Sequence, residues 1–118
     1  MDNTEARRFL EEAFGRLFDP ESTEEQMLEF FSPSYKQDLN GKVYTFREFM
    51  DGVAGLKKQL KSTRVRFTSV VSSGNVIAEV HVVEAVKKDG SAMKFKVMAF
   101  QTVEDGRIKK VEEVNCPL

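Results

Sequence analysis

Apolar residues recur at helical spacing in the first half of the chain and at every second position in the second half. Ala6, Phe9, Leu10, Ala13, Phe14, Leu17 and Phe18 fall on one stripe, which predicts a first helix stopped by Asp19-Pro20. Ser22-Thr-Glu-Glu25 has the form of a capping box and predicts a short second helix carrying Met27, Leu28, Phe30 and Phe31 as far as Pro33. Tyr35 to Leu39 reads as a short extended piece closed by the turn dipeptide Asn40-Gly41. A second capping box, Thr45-Phe-Arg-Glu48, opens a third helix whose apolar face is Phe46, Phe49, Met50, Val53, Leu56 and Leu60.

Beyond Lys61 four strand-like runs follow, at 63–72, 76–88, 92–104 and 107–116. They are linked by Gly74-Asn75, Asp89-Gly90 and Asp105-Gly106, dipeptides that tolerate the positive φ of tight hairpin turns. Helices followed by a meander predict an α+β fold, with N-terminal helices packed on one face of a curved antiparallel sheet. The chain has room for a single domain, residues 1–118.

Turn length sets register, and register decides which side chains share a face. With two-residue loops throughout, Phe67, Val82, Val97 and Val114 line up, flanked by Ser69, Val80, Ala99 and Glu112, then by Val71, Ala78, Gln101 and Lys110. This mostly apolar face is expected to carry the helices. The other face then holds Thr68, His81, Met98 and Glu113, together with the basic residues Arg64, Arg66, Lys94 and Lys96. A three-residue loop at any hairpin exchanges the faces beyond it.

Charge narrows the function classes. Eighteen basic residues against nineteen acidic ones create no global field to recruit nucleic acid or an anionic membrane. The basic cluster lacks interleaved aromatics for stacking bases, so a solvated face is the plainer expectation and nucleic acid is not expected as a partner. No stretch has the apolar length of a membrane span, and residues 1–18 carry Asp2, Glu5, Glu11 and Glu12 rather than an uninterrupted apolar run. Cys116 is the only cysteine, which suits a reducing, cytoplasmic setting. One histidine and one cysteine supply no zinc ligand set, and neither a phosphate loop nor a nucleophile elbow is present; no metal or cofactor is expected.

The order of elements resembles the SnoaL-like branch of the nuclear-transport-factor-2-like superfamily. The resemblance is carried by Phe30-Phe-Ser-Pro-Ser-Tyr-Lys-Gln-Asp-Leu-Asn-Gly-Lys42, Ala78-Glu-Val-His81, Lys88-Asp-Gly90, Glu104-Asp-Gly-Arg-Ile108 and Glu112-Glu113, and it spans nearly the whole chain. It implies a cone that holds a small apolar molecule and a homodimer formed through the sheets. It also implies a pocket acid or histidine on the segment after the second helix, where this chain has Asp38.

Two carboxyl groups in an apolar cavity are driven apart in pKa, one ionised as base and one protonated as donor. Asp38 and Glu112 are the candidate catalytic pair, with Tyr35, Gln101, Val80, Val82 and Ala99 as candidate ligand contacts. The plainer alternatives are that Asp38 caps the Asn40-Gly41 turn and that Glu112 pairs with Lys110. If the sheet faces are reversed, His81 and Glu113 become the acid–base pair. Histidine is the side chain whose ordinary pKa lies near neutrality. The functional expectation is an isomerase, cyclase or hydrolase acting on a small apolar or carbonyl compound. The alternative is a non-catalytic homodimeric interaction module, favoured by the lack of a complete catalytic set.

Overall fold

The computed structural model describes all 118 residues. Its elements are α1 (Asn3–Leu17), α2 (Glu24–Met27), β1 (Phe31–Leu39), β2 (Lys42–Thr45), α3 (Phe46–Gln59), β3 (Leu60–Ser73), β4 (Val76–Lys87), β5 (Ala92–Glu104) and β6 (Arg107–Pro117). All three helices open with a capping box, which satisfies backbone N–H groups that the first turn leaves free. In α1, Asp2 Oδ1 accepts from Glu5 N at 2.8 Å; in α3, Thr45 Oγ1 accepts from Glu48 N at 3.2 Å. The box of α2 sits one residue later than expected, on Thr23 and Gln26. That helix lasts a single turn, because Phe31 already begins β1 and Pro33 lies within the strand.

The six strands form one sheet in the order β2-β1-β6-β5-β4-β3. The sheet is mixed, and the expectation of an antiparallel one is corrected at a single seam: β1 runs parallel to β6, with Asp38 opposite Glu112. β3 to β6 form the expected meander. The Asn40-Gly41 turn has φ of 52° and 91°, and Asp105-Gly106 has 54° and 75°. Both are tight turns of the kind those dipeptides favour.

Within the four expected runs, register departs from expectation at three places. The β4–β5 hairpin closes on Lys87 N donating to Ser91 O, so its loop is the three residues Lys88, Asp89 and Gly90. Bulges interrupt the ladders between Phe67 and Ser69 and between Thr102 and Val103. Arg7 donates to Phe67 O at 2.6 Å, which ties α1 to the first bulge. As a result β4 and β6 turn over relative to β5. The rows on the helix-covered face are Phe67–His81–Val97–Asn115, Glu79–Ala99–Glu113 and Ile77–Gln101–Val111.

α1 lays Ala6, Leu10, Ala13 and Leu17 on that face, joined by Phe31, Tyr35, Met50, Ile77, Ile108 and Val111 in one core. No helix is long and apolar enough to cross a membrane.

Candidate functional site

The core is not filled at its α3 end. A cavity of about 220 Å³ lies between the sheet, the C-terminal half of α1 and α3, and thirteen of its seventeen lining residues are apolar. Phe14, Leu17 and Phe18 close one side and Phe49, Val53 and Leu56 another. Tyr35, Gln37, His81, Gln101 and Glu113 bring polar atoms to the wall from β1, β4, β5 and β6.

His81 is held on every side. Its ring lies 5.1 Å from both Phe14 and Phe67, and its Nδ1–H donates to Glu79 Oε2 at 2.7 Å. The two side chains are 5% and 0% exposed, so the pair is cut off from bulk water. A carboxylate on Nδ1 fixes the tautomer and turns the other ring nitrogen, Nε2, into the acceptor left to meet a ligand. Glu79 Oε1 has no hydrogen-bond partner within the chain.

Glu113 accepts from Gln37 Nε2 at 2.5 Å. Burial pushes its carboxyl above the ordinary glutamate range; the Gln37 bond and His81 oppose the rise, and Glu79 adds to it. Tyr35 stacks on Phe49 at 4.5 Å, and its hydroxyl is pushed well above the ordinary tyrosine range by burial and then by the charge of Glu113. Gln101 is 2% exposed, and its amide oxygen has no partner within the chain.

Four of the expected positions therefore lie elsewhere. Asp38 and Glu112 adjoin on the open face of the sheet, where they edge a broad trough of about 550 Å³ with Val71, Met98 and Phe100. Asp38 Oδ1 accepts from Gly41 N at 2.9 Å and so caps the turn, while Glu112 pairs with Lys110 at 3.3 Å with more than half its side chain in solvent. Val80 and Val82 also belong to the open face, with Val82 between Arg66 and Lys96 in register. The cause is the turned-over β4 and β6. Tyr35, Gln101 and Ala99 lie on the helix-covered face as expected, and the reversed-face pair His81 and Glu113 both line the cavity.

Gln37 and Glu79 had not been singled out. Glu79 carried a usable signal, since residues two apart in a strand share a face in any register, which makes Glu79-x-His81 a pair wherever the hairpins fall.

A family model for the SnoaL-like domain matches residues 6–111. The chain belongs to that family. An uncharacterized protein of Schizosaccharomyces pombe is 27% identical over 114 residues, a match that covers 97% of this SnoaL-like chain and 88% of the relative. Among solved structures, AclR, a proposed hydroxylase from Streptomyces galilaeus, superimposes with a TM-score of 0.80 at 11% identity, covering 97% of this chain and 76% of its own. A proposed SnoaL-like polyketide cyclase from Jannaschia sp. CCS1 gives 0.67 at 14% identity, covering 88% and 83%. At those identities the two likenesses speak for the fold of this SnoaL-like domain.

Proposed function

We propose that this SnoaL-like domain is an acid–base enzyme acting on a small carbonyl compound held in the cone, with His81 as base. The observation that carries the reading is the buried Glu79–His81 pair, whose imidazole lies in the wall of a mostly apolar cavity. His81 Nε2 takes a proton from the carbon next to the carbonyl, and Glu79 stabilises the imidazolium that results. The enolate oxygen takes hydrogen bonds from the Tyr35 hydroxyl and from Glu113 in its protonated form, which burial favours. Return of the proton to a second carbon completes an isomerisation; attack of the enolate carbon on another carbonyl instead closes a ring, and the imidazolium proton passes to the alkoxide so formed. The reading is supported by fold relatives that are themselves proposed as enzymes, a hydroxylase and a polyketide cyclase.

Proton abstraction is measurable without the natural substrate. 3-Methylcyclohex-2-enone in D₂O is expected to exchange its α and γ protons faster with the protein than with buffer, by NMR. Catalysis by one positioned base is worth roughly 10²–10⁴-fold, and His81→Ala removes it while Asp38→Asn and Glu112→Gln leave it. Wild-type exchange in His81→Ala refutes the mechanism.

A second reading has its own observation. Met98, Phe100, Val71 and Val114 are each more than half exposed on the open face, a contiguous apolar surface. Asp38 and Glu112 lie at one end of it and Arg66 and Lys96 at the other. A twofold that lays one copy's apolar patch over another's covers both, so the occupant we assign is a second copy. Light scattering is expected to give a dimer at micromolar concentration and a monomer for Phe100→Glu. A monomeric wild type refutes the pairing. The unpaired, exposed Cys116 fits a reducing cytoplasm.

A further inference from the structure

The cavity also restricts what enters it, given the acid–base reading above. Its volume of about 220 Å³ falls below the roughly 300–1,000 Å³ of sites for drug-sized molecules. A site below that range suits one substituted six-membered ring rather than three fused rings. Ring packing braces part of the wall: Phe31, Tyr35 and Phe49 form one aromatic cluster and Phe14 and His81 pack with Phe67 in another.

The polar groups restrict the ligand's chemistry. His81 Nε2 is an acceptor left without a partner in the chain and the Gln101 amide oxygen makes no hydrogen bond, while Glu113 in its protonated form has a proton to donate. A bare ketone or hydrocarbon leaves acceptors unpaired in an apolar site, at the desolvation cost of each. A hydroxyl both donates and accepts, so it satisfies these groups and either orientation of the Gln101 amide. We infer that the cone takes a single-ring compound bearing a hydroxyl, and that Gln101 with Glu113 and His81 selects for that group. An enol is the hydroxyl tautomer of an enolisable ketone, so a ring hydroxyl occupies the place of the species formed in the proposed reaction.

Three probes test both parts: thymol (one ring with a hydroxyl), p-cymene (the same skeleton without it) and 2-hydroxyanthracene (a hydroxyl on three fused rings). His81 is the sole histidine, so its Cε1–H gives one NMR signal that reports from the cavity wall. Thymol is expected to move that signal saturably and to bind at least ten-fold tighter than p-cymene, and 2-hydroxyanthracene to leave it in place. Gln101→Leu, which removes an unpaired buried amide and so keeps the fold, is expected to cut the thymol preference at least five-fold. Equal binding of thymol and p-cymene, or an undiminished preference in Gln101→Leu, overturns the hydroxyl selection. A shift by 2-hydroxyanthracene overturns the size limit, and either result leaves the acid–base reading standing. Failure of all three to move the signal overturns that reading as well.

Discussion

Glu79 and His81 form a buried pair whose two halves carry unequal stakes. Replacing His81 by leucine strands a fully buried carboxylate that already has one oxygen without a partner. Leaving a buried charged group without its hydrogen-bond donor costs about 3 kcal/mol or more, above the range for a neutral group. Replacing Glu79 by leucine strands only the imidazole Nδ1–H, a neutral donor, at about 1–3 kcal/mol, and it also removes the orphaned Oε1. Replacing both leaves an apolar patch of similar volume among Phe14 and Phe67, and such swaps are neutral or stabilising. His81→Leu should therefore be the worse single substitution, and the double variant should lie within about 1 kcal/mol of the wild type. The coupling then exceeds about 2 kcal/mol, which residues 2.7 Å apart in one hydrogen bond allow.

Urea unfolding at pH 7, with midpoints and slopes compared across the four proteins, reads these numbers directly. A small domain holds about 5–15 kcal/mol of stability, so His81→Leu should remain folded enough to measure. Additivity within about 0.5 kcal/mol, or a smaller loss for His81→Leu than for Glu79→Leu, refutes the account of the pair.

Other substitutions probe the surroundings. Burial raises the Glu113 carboxyl in the folded state, so protonation favours the fold, and stability from this group is lost as pH rises through the raised value. Glu113→Gln should thus match the wild type below the ordinary glutamate pKa and gain on it towards neutrality, as read from Tm against pH; a constant gap contradicts the shift. Asp38→Ala should lower stability by about 1 kcal/mol through loss of the Gly41 N–H acceptor, whereas Asp38→Asn, which keeps an acceptor, should stay within about 0.5 kcal/mol in the same urea assay. Leu10 is fully buried in the core, and Leu10→Ala should lower stability by about 3–5 kcal/mol in urea; a loss under 1 kcal/mol means that α1 does not seat as described.

Element positions were readable because each carries a local signal. An apolar stripe places α1, capping boxes place the starts of α2 and α3 to within a residue, and Gly-containing turns place the ends of β3 to β6 to within a few residues. Faces were not readable, because a single added residue exchanges them and little in the residue types marks the addition. Asp89-Gly90 serves a three-residue loop as well as a two-residue one, and the residues around the two bulges are ordinary. Alternation in β4 does not arbitrate either. One face offers Ile77, Val83 and Ala85 and the other Ala78, Val80 and Val82. Phe67 was placed on the right face because two shifts cancel: the bulge beside it reverses what the three-residue loop had reversed. Asp38 and Glu112 had no such cancellation, so the candidate pair moved from them to His81 and Glu113.

What survives any register is the spacing of Glu79 and His81, and energetics suggests why such a pair sits there. A central strand packed against α1 has no structural need for a hydrogen-bonded carboxylate and imidazole, since apolar residues of the same size fill the space at little or no loss. The fold is held by an apolar core that includes Leu10, Phe31, Ile77 and Ile108. If the pair serves chemistry, Glu79→Leu/His81→Leu should retain wild-type stability and lose the exchange activity entirely. If it serves the fold, stability and activity should fall together. The double variant separates these two outcomes in one preparation, because urea reads the first and NMR exchange of 3-methylcyclohex-2-enone reads the second. A stable double variant that still exchanges the ketone at the wild-type rate removes the pair from the mechanism.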